Sequence, residues 1–404
     1  MGRGVDRPRR DSGRYSQRVN ERAAGALNRS SLFALYAATV AVYSDIYVTQ
    51  PFLPVLSRRF DVAPATAGLS VSVVVLMVAL VSPVWGSLSD SMGRKPILVA
   101  SCALLAVPTF LAALAPSFGV LLALRALQGL LIPGLTAVAV AFLGDHFHGA
   151  SLPPRVAAFI GASVVGGLTG RVVSGYIAAF LDWHASFVVF GSLTAAGAVG
   201  MAWLLPPGPR GAARPRPAWR ELVGHLGSRR LVGAFLIGGA VIFAFIAIFT
   251  FLPYYLSAPP FGLSTAAVSS FYFAYLAGVA TSLLVPRLPE PFSGRRLMGI
   301  GLAVASAGIL STLVPEVSVI AASLVVVCVG MFLVQATAPA FVNLNAPAAK
   351  GAAGALYVTF YYLGATLGSF LPGLAYQRWA WPGVVASCLL ALSVALGANR
   401  WLCA

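Results

Sequence analysis

GSLSDSMGRK, residues 86–95, is a short polar knot between two long apolar runs, and its reading decides the fold. Gly86 and Gly93 permit a tight turn, while Asp90, Arg94 and Lys95 set one acid and two bases at the ends of two helices, a placement suited to an inter-helix charge network. The runs on either side, 67–89 and 96–115, each match the ~20 apolar residues needed to cross a bilayer core. The knot is therefore read as a membrane-surface loop.

The rest of the chain repeats this pattern. Of 404 residues, 59% are hydrophobic and only 9% charged, against about 25% charged in a soluble domain, so a soluble globular enzyme is excluded. Apolar runs between Pro, Gly or charged breaks place further spans at 31–56, 118–143, 153–181, 185–205, 231–256, 263–286, 296–314, 317–341, 350–376 and 381–402. The expected fold class is an all-α membrane protein of twelve transmembrane helices. Its expected organisation is an Arg-rich cytoplasmic tail (1–29), a six-helix bundle (30–205), a basic cytoplasmic linker (206–230) and a second six-helix bundle (231–404). The first apolar run is too long for a signal-peptide core and lacks a cleavage site, so the tail is expected to be retained.

A net charge of +16, from 27 basic and 11 acidic residues, would point to nucleic acid in a soluble chain. Position argues otherwise. With the amino terminus inside, 22 of the bases fall on the cytoplasmic side, Arg58, Arg59 and Arg378 fall outside, and Arg125 and Arg171 lie within spans. Both termini are thus expected in the cytoplasm of a bacterial inner membrane, with no nucleic-acid partner. The cysteines Cys102, Cys328, Cys388 and Cys403 read as small apolar residues. His146 and His148 lack a third ligand, so no metal is expected, and no phosphate-binding loop or catalytic triad is visible.

The two halves repeat. Leu53-Pro54 matches Leu252-Pro253, and Gly93-Arg94-Lys95 matches Gly294-Arg295-Arg296. Gly170, Gly175 and Trp183 match Gly368, Gly373 and Trp381 at a constant offset of 198. Two pseudo-symmetric six-helix bundles with a substrate site between them near the midplane follow from such a repeat.

GSLSDSMGRK closely resembles the GxLxDxxGRK signature of the major facilitator superfamily, and the resemblance covers residues 31–402. It implies that Gly86, Asp90, Gly93, Arg94 and Lys95 form a cytoplasmic gating loop. In the second copy, PRLPEPFSGRR, Pro291 and Phe292 disturb the spacing. Arg125-Ala-Leu-Gln128-Gly129 looks like the RxxQG motif of proton-coupled members. GASVVGGLTGRVVSGYI, with Gly161, Gly166, Gly167, Gly170 and Gly175, is similar to the helix-packing motif of the antiporters, except that Arg171 replaces the usual proline. SDIYVTQPFLP resembles the first-helix pattern of bicyclomycin-resistance-type drug/proton antiporters.

Of the 11 acids, only Asp45 lies deep in a span, where a carboxyl can alternate between protonated and ionised forms. Asp45 and Arg125 are the expected proton-coupling pair; the alternative is a permanent ion pair of Asp45 with Arg125 or Arg171. A cation within a span costs ~2.5–3.5 kcal/mol on insertion scales, so Arg125 should face the bundle interior. Arg171 has three readings: contact with an anionic group of the substrate, tuning of Asp45, or structural bonding to backbone carbonyls. Tyr43, Tyr47, Gln50, Gln128, Tyr254, Gln335 and Tyr361 are further candidate substrate contacts, with Tyr255, Tyr272, Tyr275, Asn343, Tyr357 and Tyr362 as other possible wall residues.

The expected function is secondary active transport: proton-coupled efflux of a small organic solute, such as a drug or a siderophore, by a monomer that needs no cofactor. Uptake or uniport of an anionic metabolite is the alternative among transporters. A channel or non-transporting membrane receptor is the alternative from another class.

Overall fold

Polar side chains start the helices where the apolar runs begin. Asn28 Oδ1 accepts from Ser31 N at 2.8 Å, Ser117 Oγ from Val120 N at 3.4 Å, Asp182 Oδ1 from Ala185 N at 2.7 Å and Ser264 Oγ from Ala267 N at 3.3 Å. Each satisfies an amide that the first helical turn leaves unpaired. A computed structural model describes residues 27–206, 224–285, 294–346 and 350–403. The expected tail and linker fall mostly outside them, as do Arg287, Glu290, Pro291 and Phe292.

Twelve long helices run through the described residues. They are α1 (Arg29–Phe60), α2 (Pro64–Met92), α3 (Arg94–Ala112), α4 (Phe118–His146), α5 (Leu152–Phe180), α6 (Trp183–Leu204), α7 (Arg229–Ser257), α8 (Thr265–Leu284), α9 (Gly294–Ser311), α10 (Val317–Asn345), α11 (Lys350–Gly368) and α12 (Leu371–Trp401). Ten of the membrane-length segments are apolar enough to cross a bilayer on length and composition alone. The other two are α9, diluted by Arg295 and Arg296 in its first turn, and α11, rich in Gly and Tyr.

The expected break between the last two spans is real but falls inside α12. Trp379 (φ −129°) and Ala380 (φ 49°) leave helical geometry, and a Cβ on Gly383 would press on the Ala375 carbonyl. Eight residues of straight helix would separate those groups by about 12 Å, so the chain folds back here and residues 371–378 prolong the direction of α11. Trp381, just past the reversal, donates to Thr312 Oγ1 at 3.0 Å and stacks on Tyr255 at 4.7 Å.

The sequence repeat is visible in the packing. Gly166 and Gly170 of α5 bring that helix onto Val40, Tyr43 and Ser44 of α1, and Gly364 and Gly368, each 198 residues on, bring α11 onto Gly239 and Phe243 of α7. At all four positions a Cβ would collide with backbone, so the helices touch along their main chains. Ser44 Oγ donates to Gly166 O at 2.9 Å across the first of these contacts. Helices α1–α6 and α7–α12 thus form two related bundles.

Five hydrogen bonds among the described residues join the bundles, and all five lie at the end opposite the Gly86–Lys95 loop. Gln50 Nε2 donates to Thr250 Oγ1 at 2.7 Å, and the hydroxyls of Ser57 and Tyr254 meet at 2.6 Å. Ser72 Oγ lies 2.6 Å from Ser369 Oγ and 3.2 Å from Thr366 O, and Tyr176 Oη lies 2.8 Å from Ser270 Oγ. Glycine contacts reinforce this end, with Gly68 against Ser369, Gly175 against Ser269 and Gly373 against Ala65. Among the described residues, the hydrogen bonds between the bundles are confined to this end.

Candidate functional site

At the loop end, Gly93 takes φ 91°, a left-handed turn that suits glycine and swings the chain from α2 into α3. This aims the next side chain back at its neighbours. Arg94 Nη2 lies 2.6 Å from Asp90 Oδ1 of α2, and its Nε lies 3.1 Å from Asp145 Oδ2 of α4. Its Nη1 also donates to Ser89 Oγ. One almost fully buried guanidinium therefore ties three helices together. Asp145, which the sequence shows only as a loop-end acid beside His146, is a partner that spacing alone does not reveal.

Lys95 stands apart from this cluster and donates to Leu205 O at the end of α6. Arg295 of the second copy makes the equivalent tie, donating to Asn399 O at 3.0 Å and Arg400 O at 2.9 Å at the end of α12. Among the described residues Arg295 meets no carboxylate. Gly86 faces open space and is not needed for close packing.

Inside the first bundle, Asp45 is wholly buried. Its Oδ2 accepts from Thr194 Oγ1 of α6 at 3.1 Å and from Thr109 Oγ1 of α3 at 3.5 Å, while Oδ1 has no hydrogen-bond partner. The carboxyl lies among α1, α3 and α6, on the side of α1 away from the second bundle. No ion pair joins it to either interior arginine. The permanent ion-pair alternative therefore fails, because both guanidinium groups are committed elsewhere.

Arg125 shows why. Helix α1 leaves α-geometry after Tyr47 and passes through a tighter turn at Gln50–Phe52, where Pro51 has no N–H to give. The last carbonyls before this break need donors, and Arg125 supplies them: Nη1 to Asp45 O and Nη2 to Ile46 O, both at 2.7 Å. Its Nε reaches Ser70 O of α2 at 2.9 Å, and Nη1 also reaches Gln128 Oε1 at 2.8 Å. Gln128 Nε2 donates in turn to Thr109 Oγ1 at 2.8 Å. Gln128 is thus a member of the Asp45 network inside the first bundle.

Arg171 sits at the junction of the bundles. Its Nε donates to Gln50 Oε1 at 2.6 Å and its Nη1 to Gly167 O at 2.8 Å. The guanidinium lies 3.6 Å from the ring centre of Tyr47 and 4.8 Å from that of Tyr275 on α8. Since Gln50 also donates to Thr250, the chain Arg171–Gln50–Thr250 runs from one bundle to the other. Within the second bundle Tyr361 Oη reaches Gln335 Oε1 at 3.4 Å, and within the first Tyr43 packs edge-on against Phe159.

Tyr254 lies at the sealed end, where its hydroxyl meets that of Ser57 and its ring packs against Tyr376. Gly161, expected among the helix-packing glycines, faces open space, unlike Gly166, Gly170 and Gly175; Gly167 leaves room for the Arg171 guanidinium. Thr109, Thr194, Thr250 and Tyr275 are participants that the sequence did not single out in these roles.

Residues 35–369 match the family described as Major Facilitator Superfamily. The chain is 30% identical to the MFS-type transporter YybF of Bacillus subtilis (strain 168), covering 93% of each chain. It is also 30% identical to the inner membrane transport protein YnfM of Escherichia coli (strain K12), over 90% of this chain and 88% of that one. Among solved structures, a bacterial homolog of the human lysosomal transporter Spinster, in an inward-facing and unoccupied conformation, superimposes with a TM-score of 0.79 at 16% identity, covering 92% of this chain and 97% of that one.

Proposed function

The chain belongs to the major facilitator superfamily, a membrane transporter and not an enzyme, and from that premise we propose that it exports a small organic solute, a drug or a secreted metabolite, in exchange for protons. In this reading both termini lie in the cytoplasm of a bacterial inner membrane, as the excess of bases on that side requires. The sealed end then faces outward and the structure is inward-facing. Rocking of the bundles would open the sealed end and close the loop end, where the Asp90–Arg94–Asp145 cluster would hold α2, α3 and α4 as one body.

One observation carries the proton role of Asp45: a wholly buried carboxyl, with no direct ion pair and one oxygen unpartnered, lies beside the break in α1. In its ionised form this carboxyl only accepts, which suits the hydroxyls of Thr109 and Thr194; once protonated it must also donate. Protonation therefore rearranges hydrogen bonds at a hinge. The segment beyond that hinge carries Gln50 and Ser57, two of the groups that seal the bundles together. Arg125 fixes the near side of the hinge through the Asp45 and Ile46 carbonyls, so a proton on Asp45 can bias the seal without meeting the solute.

The test is flux in proteoliposomes under an imposed pH gradient, with a panel of candidate solutes. Wild-type protein is expected to move solute uphill with counterflow of protons. Asp45→Asn, which keeps size and polarity but cannot titrate, is expected to retain downhill exchange and lose uphill movement. Uphill movement by the Asn variant would remove Asp45 from the mechanism.

A further inference from the structure

We propose that the solute is an organic anion with a planar aromatic part, and that its anionic group binds Arg171. This rests on the reading of the chain as an alternating-access transporter and adds the chemistry of what it carries. Arg171 is 2% exposed, and among the described residues no carboxylate approaches it. Asp45, the acid that lies deep in a span, is engaged by Thr109 and Thr194 instead. Burying a cation without a counter-ion is costly, and the neutral acceptors Gln50 Oε1 and Gly167 O offset only part of that cost. A carboxylate delivered by a ligand would form stronger, charge-assisted bonds to the same guanidinium.

A second observation points the same way. Tyr275 Oη and Gln335 Nε2, both contributed by the second bundle, are buried and have no hydrogen-bond partner. Both can donate, which suits an anion or a phenolic oxygen. The flat faces are also present: Tyr47 and Tyr275 flank the guanidinium, and Phe332 packs edge-on against Tyr275 at 6.2 Å. The site thus offers one cation and aromatic walls drawn from both bundles.

Binding there has a mechanical consequence. Gln50 Oε1 now accepts from Arg171 while its Nε2 donates to Thr250. An anion that takes Arg171 for itself releases Gln50, and with it one of the hydrogen bonds that seal the bundles. Substrate recognition and opening of the outer end would then share a side chain.

The experiment is equilibrium binding to the purified full chain, without any pH gradient. The probes are 2-naphthoate, indole-3-acetate and 4-hydroxybenzoate, each paired with its own amide. Wild-type protein is expected to bind at least one acid about tenfold or more tightly than the matched amide. Arg171→Gln should abolish that preference and Arg171→Lys should keep part of it. Absence of acid binding at millimolar concentrations, equal binding of acid and amide, or an undiminished preference in Arg171→Gln each overturn the proposal. Should Arg171→Gln fail to fold, the acid–amide comparison in wild type and in Arg171→Lys still decides: an undiminished preference in the Lys variant also overturns it, because a point charge cannot reproduce the planar fork. The proton-coupling reading fails through gradient-driven flux instead, so the two failures are distinguishable.

Discussion

Three substitutions that remove four of the five hydrogen bonds at the sealed end should shift the population between the two access states by a predictable amount. Tyr254→Phe removes the contact with Ser57, Ser72→Ala removes those with Ser369 and Thr366, and Tyr176→Phe removes that with Ser270. These side chains link three different helix pairs, so their effects should add. Hydrogen bonds between membrane helices average about 0.6 kcal/mol, so the triple variant, which loses four of them, should destabilise the sealed state by about 2.4 kcal/mol, a change of about sixtyfold in the equilibrium. Spin labels on Arg59→Cys and Glu316→Cys, exposed positions at that end of opposite bundles, report the separation by electron-electron double resonance. The long-distance population should grow with each substitution and be largest in the triple variant. An unchanged distribution, or growth of the short distance, would refute the assignment of these bonds as the seal.

Asp145→Asn should slow turnover while leaving equilibrium binding intact, and a double-mutant cycle with Arg94→Ala should show coupling of about 0.5–3 kcal/mol, measured as transport rate. Loss of binding with unchanged turnover would contradict the structural role of that cluster. Gly170→Ala should lower thermal stability by about 1–3 kcal/mol because its Cβ meets the Ser44 backbone, whereas Gly161→Ala should be neutral. Melting curves followed by size-exclusion chromatography separate the two.

Much of the fold was legible because hydropathy and helix caps act locally: spans begin at Asn28, Ser117, Asp182 and Ser264 as the side-chain chemistry directs. The repeat was legible for a similar reason, since Gly166 and Gly364 must both be small wherever backbones touch. The pairing of Arg125 with Gln128 follows from their spacing, which places them on one helix face. What could not be read was the rest of their network. Arg125 bonds mainly to backbone carbonyls, which leave no residue-type signal, and the threonines that hold Asp45 lie 64 and 149 residues away among many similar ones. Nor does aromatic composition reveal that Tyr254 meets Ser57 of the other bundle.

The central claim, that a proton on Asp45 biases the seal between the bundles, is tested most directly by the same labelled pair measured against pH in the absence of any solute. For wild-type protein the distance distribution should shift between its two populations as pH passes through the titration of Asp45. In the Asp45→Asn background it should stay fixed near the low-pH distribution, since asparagine carries no charge at any pH. A wild-type distribution that ignores pH, or an Asn variant that still responds to it, would contradict the account.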